Sequence, residues 1–207
     1  MNSFLPSNIG YVIADVPQDI INKLQAKANS LKSNFTQGQE YNKNLAGNIL
    51  HEYDISDLKQ DCEPFLLDVA KHYKNEFPNY KPRFISAGKI VLKGFWMNFQ
   101  KKYEFNPVHQ HTGLWSFVIW LNVPYSIEDE MAYGPGSKSN NNLAGHFEFS
   151  YANILGEHTT LPIPVDKTFN GKICMFPSAM PHAVYPFYTS DDYRITVSGN
   201  INFWEQA

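Results

Sequence analysis

The amino-acid sequence predicts a mainly β fold with N-terminal helices, a double-sheet jelly roll. Three observations predict it. Two amphipathic helical stretches fall within residues 1–82. After the breaker Pro78-Asn79-Tyr80-Lys81-Pro82 the chain changes to short apolar or alternating runs, separated by loops rich in Gly, Asn and Pro. Its aromatics are plentiful, with 15 Phe, 12 Tyr and 4 Trp, and such residues suit a pleated, half-buried surface. Helices followed by seven or more strands point to helices packed on one face of a double sheet. At 207 residues the chain is expected to form one domain, with residues 1–82 as helical support and 83–207 as the jelly-roll core.

Residues 1–10 are polar, and 11–16 read as a short strand. Pro17 then opens a helix over 18–31, with Ile20, Ile21, Leu24, Ala28 and Leu31 at helical spacing. Residues 33–48, rich in Asn, Gln and Gly, read as a long loop. His51-Glu52-Tyr53 leads into a second helix, capped by Ser56 or Asp54. Its buried stripe is Leu58, Cys62, Phe65, Leu66, Val69, Ala70 and Tyr73. Pro64 inside that stripe predicts a late start or a kink. Strands are expected at 86–93, 95–100, 115–124, 146–151, 173–176, 183–188 and 193–203, and 126–145 reads as a long loop or lid.

The net charge of −3 gives no basic footprint for nucleic acid. The first 30 residues lack a basic segment followed by an apolar run, and no stretch approaches ~18 apolar residues. A cytoplasmic protein without membrane partners is expected, in the host cytoplasm if the gene is phage-borne. Cys62 and Cys174 lie in apolar patterns and read as buried free thiols.

Of the seven histidines, His109-Gln110-His111 stands out. On an extended backbone residues i and i+2 point to one side, so both imidazoles reach a single ion. His182 lies far downstream, again beside a strand. In 193–203 the residues alternate, with Arg194, Thr196, Ser198 and Asn200 on one face. An arginine beside hydroxyls on a sheet face suits a carboxylate, because the guanidinium fork matches two oxygens.

Together the segments N-P-V-H-Q-H, S-F-V-I-W-L-N-V-P, G-K-I-C-M-F-P-S-A-M-P-H-A-V-Y-P and D-D-Y-R-I-T-V-S-G-N-I resemble the 2-oxoglutarate- and Fe(II)-dependent oxygenases. The resemblance runs from about Asn44 to the C-terminus and is to a subgroup of marine bacteriophages and bacteria related to prolyl-hydroxylase-like enzymes. It implies a double-stranded β-helix holding Fe(II) at its open end, with 2-oxoglutarate as co-substrate. His109 matches the family's first histidine and His182 its distal one, while Arg194 and Thr196 match the pair that grips 2-oxoglutarate. His111 stands where the family has a carboxylate, so the metal set is either His109, His111 and His182 or one completed by Glu148. Asn98 is expected at 2-oxoglutarate or on the substrate face, and Ser116 and Asn200 are weaker candidates of the same kind. The implied activity is hydroxylation of a small molecule or a peptidyl or amino-acid side chain. Two alternatives stay open: a cupin-type metal dioxygenase without 2-oxoglutarate, which Arg194-Ile195-Thr196 argues against, and a non-catalytic jelly-roll binding or virion protein.

Overall fold

The computed structural model describes residues 9–82 and 88–203. The elements run β1 (Val12–Asp15), α1 (Gln18–Ser33), β2 (His51–Asp54), α2 (Lys59–Glu76), β3 (Ile90–Gln100), β4 (Asn106–His109), β5 (Trp115–Asn122), α3 (Ile127–Tyr133), β6 (His146–Ala152), β7 (His158–Pro164), β8 (Lys172–Pro177), β9 (His182–Val184) and β10 (Arg194–Phe203). Six strands make one antiparallel sheet in the order β1-β8-β5-β10-β3-β2, and four make a second in the order β4-β9-β6-β7.

The period of two sorts each strand of the large sheet between two environments. Met97 and Phe99 of β3, Ile119 of β5, Ile173 and Met175 of β8, and Ile195 and Val197 of β10 share one core with Leu24, Ala28, Leu66, Val69 and Tyr73 of α1 and α2. Leu24 and Leu66 are fully buried there, each contributing about 2 kcal/mol of burial. The opposite parity, Val118, Trp120, Cys174 and Phe176, meets Phe147 and Phe149 of β6 in a second core between the sheets. The layers are therefore helices, large sheet and small sheet. Asn98, Gln100, Arg194 and Thr196 carry the inter-sheet parity, which is what delivers them to the cleft. Both cysteines are buried and free, and burial pushes the Cys62 thiol up to about 11 and Cys174 further in the same direction.

Several expectations change. The segment expected as helical support, 1–82, is not that alone, because β1 and β2 join the large sheet at its two edges. His51–Asp54 is strand β2 rather than a lead-in to a helix. The expected strands 86–93 and 95–100 are one strand, Ile90–Gln100, running through Gly94, and the first two residues of the former lie outside the described ones. Besides β2, two strands went unexpected, β4 and β7. Both are edges of the small sheet and carry prolines, Pro107 in one and Pro162 and Pro164 in the other. An edge tolerates a missing N–H, so the signal that argued for turns also fits an edge strand. The strand expected at 183–188 keeps only His182–Val184. Helix α2 begins at Lys59 and runs through Pro64, its buried stripe of Cys62, Leu66, Val69, Ala70 and Tyr73 offsetting the lost main-chain bond. Within 126–145, Ser126 accepts from the Asp129 N–H at 3.1 Å and caps the short helix α3. Among the described residues no helix is long and apolar enough to cross a membrane.

Candidate metal centre and cleft

Strand β4 lies against β9 with His109 directly opposite His182. Cross-strand partners project to the same face, so this pairing brings together two histidines from distant parts of the chain. The β4 ladder ends at His109, and the chain continues to His111, whose N–H donates to Ser178 O at 2.8 Å. The ring centroids are 4.3 Å apart for His109 and His182, 4.9 Å for His109 and His111, and 5.2 Å for His111 and His182. One ligand atom from each lies within 4.8 Å of the other two.

Two of the rings are oriented by the same device. Nδ1 of His109 donates to Pro107 O at 2.7 Å, and Nδ1 of His182 donates to Met180 O at 3.0 Å. A carbonyl only accepts, so Nδ1 holds the proton and Nε2 keeps its lone pair for a metal. Burial lowers the pKa of all three rings, and for His111, at about 4, and His182, at about 3, the neighbouring imidazoles add to the effect. Neutral imidazole is the ligating form. Phe147 stacks on His182 at 5.5 Å and Phe176 meets it edge-on at 4.7 Å, which shields that ring from water.

Glu148 is not brought to this cluster. Its neighbour Phe149 is the residue opposite His182 on β9, so Glu148 projects from the other face of the small sheet. There it accepts from the Tyr185 hydroxyl at 3.1 Å and lines a separate surface hollow with Val108, Ser150 and His158. Among the described residues no carboxylate joins the three histidines.

The histidines open onto a cleft whose lining includes Asn98, Gln100, Arg194, Thr196 and Ser116. Asn98 and Thr196 are cross-strand partners, and Asn98 Nδ2 donates to Thr196 Oγ1 at 3.1 Å. Arg194 is 2% exposed, and all five of its N–H groups are taken by protein acceptors. Nε and Nη2 donate to Gln100 Oε1, Nη1 to the Tyr125 hydroxyl and Gly145 O, and Nη2 also to Tyr185 O. Ser116 donates to Asn200 Oδ1 at 2.7 Å and lies 3.0 Å from the Ser178 hydroxyl. Those bonds tie β5 to β10 and to the turn before β9. Ser116 lines the cleft and Asn200 does not.

Glu52 is among the cleft residues that escaped sequence reasoning. Glu52, on β2, is 1% exposed and stands directly opposite Asn98. Its Oε2 accepts from Asn42 Nδ2 at 3.2 Å, while Oε1 is buried without a partner. Burial, reinforced by the nearby Glu104 carboxylate, pushes its pKa up to about 7. A four-residue strand carries too short a pattern to mark Glu52 as inward-facing.

The profile of the family described as "Putative 2OG-Fe(II) oxygenase" matches residues 94–200, just over half of the chain. The chain belongs to this family. It is an oxygenase with Fe(II) and 2-oxoglutarate as cofactors. Solved structures with a similar fold include a prolyl-4-hydroxylase from Pseudomonas putida, with TM-score 0.53, 14% identity and coverage of 95% of this chain and 94% of that one. Others are AviO1 from Streptomyces viridochromogenes Tue57, with TM-score 0.52, 16% identity and coverage of 93% and 90%, and a prolyl hydroxylase from Trichoplax adhaerens solved with a hypoxia inducible factor peptide fragment, with TM-score 0.52, 13% identity and coverage of 94% and 83%. At these identities the likeness is one of fold, the double-stranded β-helix. No curated protein matches the chain. The three neutral imidazoles fit an Fe(II) ion by donor type and spacing. Arg194 and Thr196 both line the cleft, and the guanidinium is already closed on protein acceptors.

Proposed function

We propose that His109, His111 and His182 hold Fe(II), and that Arg194, Thr196 and Asn98 receive 2-oxoglutarate in the adjoining cleft. The observation that carries this is the convergence of three neutral imidazoles, two with Nε2 left bare by main-chain acceptors, on a cleft that also contains a buried arginine. When bound, the pair supplies O2-dependent hydroxylation of a carbon centre, with succinate and CO2 as co-products. The chain's own residues set the conditions. Pro107 O and Met180 O fix the tautomers of two ligands. Phe147 and Phe176 keep water off His182. Gln100 is the acceptor that leaves Arg194 when a carboxylate arrives, because it lines the cleft and takes two of the five N–H groups. A carboxylate offers the fork two charged oxygens in place of one neutral oxygen, and charge-assisted bonds are about twice as strong.

The substrate is a small molecule or a peptidyl or amino-acid side chain. The Trichoplax adhaerens enzyme, of similar fold, was solved with a peptide fragment, which supports the peptidyl class by analogy. The chain is expected to act as one domain in the cytoplasm.

The test is an anaerobic titration of metal-free protein with Fe(II) and then 2-oxoglutarate, following the visible charge-transfer band of chelated 2-oxoglutarate. A band that appears in the wild type and weakens in Arg194→Ala, with iron still bound, supports the assignment. Iron binding without the band, or equal loss of iron and 2-oxoglutarate in Arg194→Ala, removes Arg194 from the cofactor site.

A further inference from the structure

The described residues contain four buried side-chain polar atoms without a hydrogen-bond partner: Glu52 Oε1, Asn98 Oδ1, Asn106 Oδ1 and Trp115 Nε1. The three oxygens belong to residues that line the histidine cleft. A buried acceptor left unpaired costs roughly 1–3 kcal/mol, and more for a charged group, so three in one cleft mark a place built for something that donates. They are also close together. Glu52 and Asn98 are opposite each other on β2 and β3. A Cβ added at Gly47 would overlap Asn106 Oδ1 and come within 3.3 Å of Glu52 Oε1, so both oxygens flank the same point beneath the segment 41–50.

That segment holds the carboxylate in place. Asn42 Nδ2 donates to Glu52 Oε2 and to Ile49 O, and the main chain pairs Asn48 with Phe105 next to Asn106. Leu45, Ala46 and Ile49 supply apolar lining beside the carboxylate. The neighbour that acts on Glu52 is another carboxylate, Glu104, which adds negative potential rather than cancelling it.

We propose that Glu52, with Asn106 as second acceptor, is the specificity-determining residue of this cleft and takes a protonated nitrogen of the substrate, an ammonium or a guanidinium. One negative charge surrounded by unpaired acceptor oxygens matches a cation with several N–H donors. A neutral hydroxyl would satisfy one acceptor and leave the charge buried alone, and an anion would be repelled. The apolar lining fits the methylene stem behind such a head group. The proposal deepens the oxygenase reading and rests on it for the word substrate. The cation preference itself rests on the cleft.

The test is calorimetry at pH 8 with n-butylammonium, n-butylguanidinium, n-butylurea and butyrate. It uses the metal-free protein and, anaerobically, the protein loaded with Fe(II) and 2-oxoglutarate. The two cations are expected to bind about tenfold more tightly than the urea and butyrate. Glu52→Gln should erase that preference while retaining one Fe(II) per chain, and Glu52→Asp should restore part of it. Equal binding of guanidinium and urea by the wild type, or an unchanged preference in Glu52→Gln, overturns the proposal and leaves Glu52 as a buried acid shared with Asn106. Iron uptake separates the two claims. A cation preference without Fe(II) or 2-oxoglutarate binding keeps Glu52 and sinks the oxygenase site, whereas cofactor binding without the preference does the reverse.

Discussion

Nε and Nη2 of Arg194 converge on a single oxygen, Gln100 Oε1, at 3.1 and 2.6 Å. The two residues are cross-strand partners on β10 and β3, so the carboxamide occupies the fork in the way one carboxylate oxygen would. Gln100→Glu places a permanent anion there and should weaken 2-oxoglutarate binding at least ~10-fold, as expected for losing a charge-assisted pair. Gln100→Ala empties the fork and should tighten binding several-fold. Titration of the charge-transfer band reads both. Wild-type affinity in Gln100→Glu would mean that Arg194 never meets the co-substrate.

Iron retention should separate the three histidines from Glu148. His109→Ala, His111→Ala and His182→Ala should each lose tight Fe(II), and Glu148→Gln should keep one ion per chain. His111→Asp should also keep it, because a carboxylate is a competent iron ligand in the two-histidine pattern. Metal analysis after gel filtration checks this. Full iron in His111→Ala would place the third ligand elsewhere.

Glu52 gives the stability curve a slope of definite sign. Its folded pKa, about 7, lies above the ordinary 4.5, so between those values the folded state binds more protons than the unfolded one. Stability should therefore fall as pH rises from about 4.5 to 7 and flatten above it. Glu52→Gln should remove that slope. It should match the wild type near pH 4 and exceed it at pH 8 by at most about 3 kcal/mol. Urea denaturation across the range measures it, and a steeper slope in the variant would refute the assignment.

Glu130 is the keystone of the 126–145 region. Fully buried on α3, it accepts from the N–H groups of Tyr188 and Thr189 at 2.8 Å each and from the Thr189 hydroxyl. Glu130→Ala leaves those donors buried and should cost about 3 kcal/mol. It should also loosen the turn that carries Tyr185 O to Arg194. A thermal shift under ~2 °C would argue that water replaces the carboxylate easily.

The alternation of 193–203 correctly separates Ile195 and Val197 from Arg194 and Thr196, because one long strand between a helical layer and a second sheet must repeat with period two. His109 and His182 were also legible as a pair, since an extended HxH segment and a histidine beside a distant strand leave few geometries. What the sequence concealed was the pairing itself. Nothing local in Asn106-Pro107 announces an edge strand, and nothing in His51-Glu52-Tyr53 announces pairing with β3, whose residues lie far downstream. The closure of Arg194 on Gln100, Tyr125, Gly145 and Tyr185 was likewise invisible, as it joins four separate segments.

The row Glu52, Asn98, Thr196, Trp120 runs straight across four neighbouring strands. Asn98 and Thr196 stand 98 residues apart in the chain, and His182 reaches its partner only after β9 has docked on β4. Contacts of such long range form late, once loop-closure entropy has been overcome. During synthesis the chain therefore offers only the local pair His109 and His111 until His182 has been made and β9 has docked on β4. On the proposed ligand set, metal uptake then reports the docking of β9 on β4, and a chain stalled or cut before His182 is left without its third imidazole.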